Sequence, residues 1–160
     1  MKGHESKIYT IATDGVKVIT GSMDKMVRVW DVMTGECQAI LEGFTSLVGL
    51  LELFPSSLLT ADASGVIRLF DNQDYKEIWK VVAHQNAVIS MHCHSYKFAS
   101  GGSDGKVRGW DLSNGKLLQE LITSNAVWHV RWIENSLVAL FSKDIDNTRE
   151  VIMKIWTVPP

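Results

Sequence analysis

One stretch of the sequence occurs twice in nearly the same form. Residues 21–31 read GSMDKMVRVWD, and residues 101–111 read GGSDGKVRGWD, eighty positions later. Phe70-Asp71 lies forty residues from each of the two final Trp-Asp pairs. Self-similarity at a fixed period of this length is typical of repeat architectures, in which each repeat is one supersecondary unit. The chain is therefore predicted to consist of units of about forty residues.

Each unit is predicted to contain short β-strands. β-branched and aromatic residues dominate the apolar runs, and turn pairs such as Asp14-Gly15 and Asp104-Gly105 separate them. No segment keeps the 3.6-residue apolar period of a helix. Four short strands per forty residues are typical of a β-propeller blade, so we predict an all-β chain of four blades. The predicted blades cover approximately residues 4–43, 44–83, 84–123 and 124–160.

The fourth unit differs from the other three. Trp156 lies six positions later than the forty-residue period requires, and the additional residues fall in the polar segment 142–150. This segment is predicted to be a lengthened turn. The first three units supply four strands each and the fourth supplies three, so about fifteen strands are expected.

Composition argues against several kinds of partner. The 160 residues include 16 basic and 18 acidic side chains, so a formal charge of −2 gives no reason to expect a nucleic acid or an anionic membrane. The longest apolar run, residues 47–54, is far shorter than the roughly 20 residues of a membrane-spanning helix. The N-terminus lacks the apolar run of a signal peptide, and Cys37 and Cys93 are interpreted as free thiols. We expect a protein of the nucleus or the cytoplasm.

The repeated motifs resemble WD repeats over the whole chain. The first and third units carry the histidine, the turn aspartate and the Trp-Asp pair of that family. The second unit has Phe44, Ser64 and Phe70 at these places, and the fourth keeps Trp156. The resemblance implies a WD-repeat β-propeller, of which four blades are about half of a seven- or eight-bladed ring. Because repeat arrays need capping or closure, we expect either further blades upstream in a longer chain or a second half-ring.

Two sets of side chains have the composition of a catalytic triad. A hydroxyl, an imidazole and a carboxylate can together activate a nucleophile. In WD repeats these positions form a buried hydrogen-bond chain that ends on the indole N–H, so the resemblance implies a structural role and no enzyme. A hydrolase that uses this set is the alternative from another class. The residues are His4, Thr20, Asp24 and Trp30 in the first unit, and His84, Ser100, Asp104 and Trp110 in the third.

No metal or cofactor is expected. His92 and His94 share one face of a predicted strand, but a zinc site needs about four converging ligands and the sequence offers no second cluster. Arg28, Arg68 and Arg108 recur every forty residues and are therefore predicted to belong to the architecture or the solvated face of the blades, with a phosphate contact as the alternative. The sequence shows no Gly-rich phosphate loop and no pair of catalytic carboxylates.

Positions where the repeat changes its residue type are the candidates for ligand binding. Tyr9, Met23 and Trp128 are large side chains at places where other units have Gly, Ala or Ser, so core packing does not require them. Aromatic residues and Met at one rim predict a pocket for a short peptide, and irregular packing of a channel is the alternative. The two aligned columns are Tyr9, Gly49, Ile89, Trp128, and Met23, Ala63, Ser103 with Lys143 or Arg149.

A second resemblance concerns the order of the motifs. GSMDKMVRVWD, then LEGFTSLVGLLEL, ADASGVIRLFDNQDY and AVWHVRW are similar to the C-terminal blades of the fungal cell division control protein 4 group. These are F-box/WD-repeat substrate receptors of SCF ubiquitin ligases, which bind phosphorylated degron motifs. The resemblance implies that Tyr9, Met23 and Leu47 form an apolar pocket for residues before the phosphosite. It also implies that Trp128 packs near the phosphosite and its following proline, and that Lys143 adds positive potential.

The sequence therefore predicts a protein-interaction module that catalyses no reaction itself. Our first interpretation is part of the phosphodegron-binding receptor of an SCF-type ubiquitin ligase, with peptides and phosphorylated proteins as partners. The F-box and the arginines that bind most of the phosphate in that group have no counterpart among these residues. The alternative is a generic WD-repeat scaffold in another complex, for signalling or transcriptional repression.

Overall fold

A computed structural model describes residues 2–134 and 136–157, with the side chains of residues 122 and 123 left undescribed. The described residues form fifteen strands in four antiparallel sheets. Among them no helix is long and apolar enough to span a membrane. The chain divides into two compact units, residues 1–80 and residues 81–160, and each is described by itself.

From here on, unit 1 means residues 1–80 and unit 2 means residues 81–160. Each unit contains two sheets, which we call blades, and each blade corresponds to one forty-residue repeat. Blade 1 has the strand order β1-β2-β3-β4, and blade 2 has β5-β6-β7-β8. Blade 3 has β9-β10-β11-β12, and blade 4 has the three strands β13-β14-β15. The strands are Ile8–Thr13, Lys17–Ser22, Val27–Asp31 and Cys37–Leu41 (β1–β4), Val48–Leu53, Ser57–Asp62, Val66–Asp71 and Glu77–Val82 (β5–β8), Val88–His94, Lys97–Gly102, Lys106–Asp111 and Leu117–Thr123 (β9–β12), and Ala126–Ile133, Ser136–Ile145 and Thr148–Thr157 (β13–β15).

The fold class predicted from the repeat is confirmed. Consecutive strands pair with their sequence neighbours, which is the up-and-down order of a propeller blade. In blades 1 and 2 the two middle strands are the most buried, and the first and last strands are more exposed, as in β6 compared with β8. Apolar runs therefore fall where both faces of a strand are covered.

Unit 1 is held together by apolar side chains between its two blades. Ile19, Val27 and Val29 of blade 1 are fully buried and belong to one cluster with Phe44 and Val48 at the start of blade 2. Gly21 permits this close approach, since a β-carbon on it would lie 2.9 Å from the carbonyl oxygen of Val48. Close-packed side chains of this kind supply most of the favourable free energy of folding.

Unit 2 repeats this packing between blades 3 and 4. Ala99 and Val107 of blade 3 form one cluster with Val127, Val130 and other residues of blade 4. Two polar contacts join the same blades, because the Ser90 hydroxyl accepts from the Val130 amide at 3.0 Å and His92 Nδ1 accepts from the Trp132 amide at 3.1 Å. No pattern in the sequence predicts these polar contacts.

The prediction of a lengthened turn over residues 142–150 is wrong. β14 and β15 have ten residues each, and their pairing continues to Ile145 and Thr148. Asp146 and Asn147 close the hairpin with φ of 49° and 63°. Two-residue hairpin turns with positive φ favour Asp and Asn, so the additional polar residues extend the strands of this hairpin.

Blade 2 replaces the polar network with apolar packing. Phe44 occupies the place of the histidine, and its ring centroid lies 6.0 Å from that of Phe70. The turn between β6 and β7 is held by Asp62, whose Oδ1 accepts from the amides of Ser64 and Val66. The degenerate residues of this blade therefore still form a packed and hydrogen-bonded unit.

Candidate functional site

The first strand of every blade contains a β-bulge at the same place. In each case the pairing with the second strand shifts and leaves one residue without a partner in that ladder. A bulge redirects the side chain of the unpaired residue. Tyr9 and Trp128 are each 54% exposed, and Ile89 is 42% exposed. The unpaired residues are Tyr9, Gly49, Ile89 and Trp128, which are the four members of the first column aligned in the sequence.

Met23 lies at the same end of blade 1 as the bulge. Its amide donates to the Lys7 carbonyl at 2.9 Å, immediately before β1, and its side chain is about half exposed. Ala63 makes the equivalent bond to the carbonyl of Leu47, which is half-buried. Within unit 1, Tyr9, Met23 and Leu47 therefore lie at equivalent ends of their blades, and two of them present large side chains to solvent.

In blade 4 the register assigns a different residue to the second column. Ala126 pairs with Ser142, so Ser142 takes the place that Met23 and Ala63 have in unit 1. Lys143 is the next residue, exposed and paired across the hairpin with Glu150. Arg149 contacts the carboxylate of Asp144 at 3.3 Å. Lys143 thus remains near this end of blade 4, whereas Ser142 fills the aligned position itself.

The triad-like residues of blade 3 form a continuous chain of hydrogen bonds. Asp104 Oδ1 lies 2.8 Å from His84 Nδ1, and His84 Nε2 lies 2.8 Å from the Ser100 hydroxyl. The same hydroxyl accepts from the indole N–H of Trp110 at 2.8 Å. Ser100 and His84 are buried, so the hydroxyl is fully engaged inside the blade and is not presented to a substrate.

Blade 1 repeats this chain. His4 Nδ1 lies 2.7 Å from Asp24 Oδ2, His4 Nε2 lies 2.8 Å from the Thr20 hydroxyl, and the Trp30 indole N–H donates to that hydroxyl at 2.8 Å. Burial acts to raise the pKa of Asp24, but hydrogen bonds from His4 and the Glu5 amide outweigh it, so the pKa lies below its ordinary value. The carboxylate is thereby kept charged and fixed between the histidine and the turn.

His84 makes the stability of the fold depend on pH. Burial is the main cause that lowers the pKa of its imidazole from the ordinary 6.5, the charge of Arg108 acts in the same direction, and Asp104 opposes both. Below about pH 6.5 the unfolded chain therefore binds a proton that the folded chain does not, and the free energy of unfolding falls as the pH falls. We expect urea unfolding to show lower stability at pH 5.5 than at pH 7.5.

The substitution His84→Gln should reduce this difference between the two pH values. His92 also has a pKa lowered by burial, so it contributes with the same sign. His92→Gln is therefore the comparison variant that keeps the contribution of His84. An undiminished pH difference in the His84→Gln protein would contradict this assignment.

Two of the three recurring arginines form ion pairs and backbone hydrogen bonds, whereas among the described residues Arg28 contacts only the Cys37 sulfur, at 3.9 Å. Arg68 donates to Glu77 at 2.9 Å and to the carbonyl of Gly43. Arg108 donates to the carbonyl of Ala83 at 2.6 Å and contacts Glu120 at 2.9 Å. Arg68 and Arg108 thus each bind the residue that precedes their own forty-residue repeat, Gly43 and Ala83 respectively. These contacts agree with an architectural role.

The histidines of β9 show no sign of a shared ligand. His92 accepts from a backbone amide, and the ring of His94 lies 6.2 Å from that of Trp132. In the part of the chain that the structure describes, no group of three or more His, Cys, Asp or Glu side chains could hold a metal ion.

Comparisons with known proteins agree with this geometry. The family model described as WD domain, G-beta repeat matches residues 1–31 and 75–111. Regulator of rDNA transcription protein 13 of Saccharomyces cerevisiae is 30% identical over 178 residues, which cover 95% of this chain and 95% of that protein. The chain belongs to the WD-repeat family. The resemblance noted in the sequence is thereby confirmed.

Two further relatives are much longer than this WD-repeat chain. Cell division control protein 4 of Saccharomyces cerevisiae is 29% identical over 95% of the chain, and F-box/WD repeat-containing protein sel-10 of Caenorhabditis elegans is 29% identical over 73%. The chain spans only 23% and 21% of the lengths of these two proteins.

Solved structures share the fold. The computationally designed Ika4 protein has a TM-score of 0.86 at 24% identity, covering 99% of this chain and 96% of Ika4. The designed Ika8 protein has a TM-score of 0.84 at 24% identity. The match covers 98% of this WD-repeat chain and 48% of Ika8. U3-55K has a TM-score of 0.79 at 17% identity, and 94% of the chain covers 53% of it. At these identities the likeness shows the fold alone.

Proposed function

We propose that this WD-repeat protein-interaction module binds short phosphorylated peptides, as part of the substrate receptor of an SCF-type ubiquitin ligase. The observation that carries the proposal is the bulge in the first strand of every blade. It exposes Tyr9 in blade 1 and Trp128 in blade 4, while Met23 is exposed at the equivalent end of blade 1. Exposed aromatic and Met side chains supply large, adaptable contact area for a peptide.

Few of the described basic side chains are placed to bind the phosphate group of such a peptide. Arg68 and Arg108 are engaged inside their blades, whereas Lys143 is exposed. One exposed lysine contributes little binding energy, and its contribution is screened by salt. The proposal therefore assigns peptide contacts to this chain, and it assigns most phosphate recognition to the remaining length that receptors such as cell division control protein 4 possess.

Truncation of the exposed side chains should weaken peptide binding. We expect Trp128→Ala to reduce affinity about tenfold and Met23→Ala several-fold, because anchors in an interface commonly contribute more than 1 kcal/mol each. The probe is a fluorescein-labelled peptide with leucines before a phosphothreonine and a proline after it. Its affinity is measured by fluorescence anisotropy, with the unphosphorylated peptide in parallel.

Two exposed residues at the opposite ends of the blades serve as matched controls. Met33 lies in the turn after β3, and Tyr96 lies in the turn after β9. Met33→Ala and Tyr96→Ala should leave the affinity unchanged. Equal affinities for Met23→Ala, Trp128→Ala and the two controls would contradict the assignment of the site, and absence of binding by every protein would contradict the proposed peptide class.

A second candidate is a scaffold in another complex, and one comparison favours it. Regulator of rDNA transcription protein 13 matches over 95% of both chains, and its name refers to transcription. Affinity purification from the native cell separates the two candidates, since a receptor should co-purify with ubiquitin-ligase subunits. For either candidate we propose a nuclear or cytoplasmic location, which imaging of a fluorescent fusion would test.

A further inference from the structure

One face of blade 4 is apolar and is exposed in the described part of the chain. Along β15, Ile152 and Trp156 pack against the cluster shared with blade 3. Because strand side chains alternate between faces, Met153 and Ile155 point the other way, and they are 62% and 57% exposed. Leu140 pairs with Met153 across the sheet and adds to the same face. Exposed apolar patches of this kind mark interaction sites.

The same positions are buried where a following blade is present. Trp30 and Trp156 occupy equivalent places in blades 1 and 4. Val29 and Ile155 each lie one residue before these tryptophans, and Val27 and Met153 each lie three residues before them. Val27 and Val29 are fully buried between blades 1 and 2. The exposed face of blade 4 is therefore the face that, in unit 1, packs against the next blade.

Blade 1 presents the complementary face. Ile8 and Ile11 lie forty residues before Val48 and Leu51, and they are 55% and 67% exposed. Val48 is fully buried, and Leu51 packs against the cluster of unit 1. In blade 4, Val127 and Val130 take these places next to the bulge and are fully buried. This apolar face of blade 1 is therefore exposed in the described part of the chain, whereas the equivalent faces of blades 2 and 4 are buried.

We propose that a second copy of this chain covers both faces, with blade 4 of each copy packing on blade 1 of the other. The chain carries one face of each kind, so each exposed face of one copy has its counterpart on the other copy. The chain covers 48% of Ika8 and 53% of U3-55K, which share its fold, so two copies together have about the length of one such chain. A relative of similar length also exists, since the match to regulator of rDNA transcription protein 13 covers 95% of this chain and 95% of that protein.

The contact between copies is not an exact repetition of that within unit 1. Leu140 stands where blades 1 and 3 have Gly21 and Gly101, which closely approach Val48 and Val127 of the next blade. The larger side chain of Leu140 requires a different fit against Ile8 of the second copy. Substitutions that test the contact are therefore placed at Met153 and Ile11.

Sedimentation velocity of the 160-residue chain tests the proposal. We expect the mass of two chains, a shift to one chain in Met153→Glu and in Ile11→Glu, and no shift in Met33→Glu, the matched substitution of an exposed Met in a turn. Circular dichroism checks that each variant is folded. An equimolar mixture of Met153→Glu and Ile11→Glu should regain part of the dimer, because one of its two contacts then joins two unaltered faces.

Several results would overturn the proposal. A monomeric wild-type chain or an open-ended polymer would exclude the closed pair of copies. A dimer lost in Met153→Glu but kept in Ile11→Glu would indicate that like faces meet. A native gene product of more blades, monomeric by the same measurement, would show that its own chain covers the faces. None of these measurements involves peptide binding, so they are separate from the test of the proposed function.

Discussion

Replacing Asp104 with alanine is expected to lower the free energy of unfolding by about 3 kcal/mol. Its carboxylate is buried, lies 2.8 Å from His84 Nδ1, and also accepts from the amides of Gln85 and Lys106. Without it, the buried imidazole and these amides lose their acceptor, and Arg108 loses a charged neighbour at 3.3 Å. A buried donor left without a partner costs far more than an intact hydrogen bond contributes.

Asp24→Ala in blade 1 is expected to cost less, about 2 kcal/mol, because His4 is less buried than His84 and can be hydrated more easily. Asp111→Ala is the matched control. Asp111 holds a turn through the amide and hydroxyl of Ser113 at an exposed site, so its loss should cost about 1 kcal/mol or less. Urea unfolding followed by circular dichroism measures all three, and equal losses for Asp104→Ala and Asp111→Ala would contradict the role of the buried network.

Gly105→Ala is expected to be the most damaging single methyl addition in unit 2, costing about 3 kcal/mol or more. Gly105 has φ of 77°, which disfavours a side chain, and a β-carbon there would collide with the carbonyl oxygen of Ser124. The Ser124 amide and hydroxyl both donate to the Gly105 carbonyl, at 2.8 and 2.9 Å. The substitution therefore disrupts the connection between the turn of blade 3 and the start of blade 4.

Gly15→Ala separates the steric effect from the backbone effect. Gly15 also has a positive φ, 90°, but a β-carbon there would meet nothing within 4 Å. Only the conformational cost of about 1 kcal/mol is expected. Urea unfolding of both variants should give a clear difference between them, and equal losses would show that the contact with Ser124 does not determine the cost.

The repeat made the fold and much of the candidate site predictable. A period of forty residues identified equivalent positions, and the structure places all members of the column with Tyr9 and Trp128 at bulges. The last hairpin was mispredicted, because polarity alone suggested a loop where Asp146 and Asn147 form a tight turn. The polar contacts of Ser90 and His92 also escaped prediction, because they join strands of different blades and leave no local pattern.

Position 142 illustrates a further limit. The forty-residue alignment assigned Lys143 or Arg149 to the column of Met23, whereas the register assigns Ser142. The first strand of blade 4 lies one residue earlier than the period requires, and only strand pairing reveals such an offset. Uncovered faces on the first and last blades are expected from the number of repeats, and the structure adds which residues are exposed there, namely Ile8 and Ile11 in blade 1 and Met153 and Ile155 in blade 4.

The central claim is that repeated residues maintain the fold and that residues departing from the repeat bind the ligand. Met23 departs from the repeat and its neighbour Asp24 belongs to it, so the two residues should differ in their roles. The most direct measurement is therefore of both the urea stability and the phosphopeptide affinity of Met23→Ala and Asp24→Ala. We predict that Met23→Ala lowers affinity several-fold at unchanged stability, and that Asp24→Ala lowers stability by about 2 kcal/mol. A Met23→Ala protein that loses stability and keeps its affinity would contradict the claim.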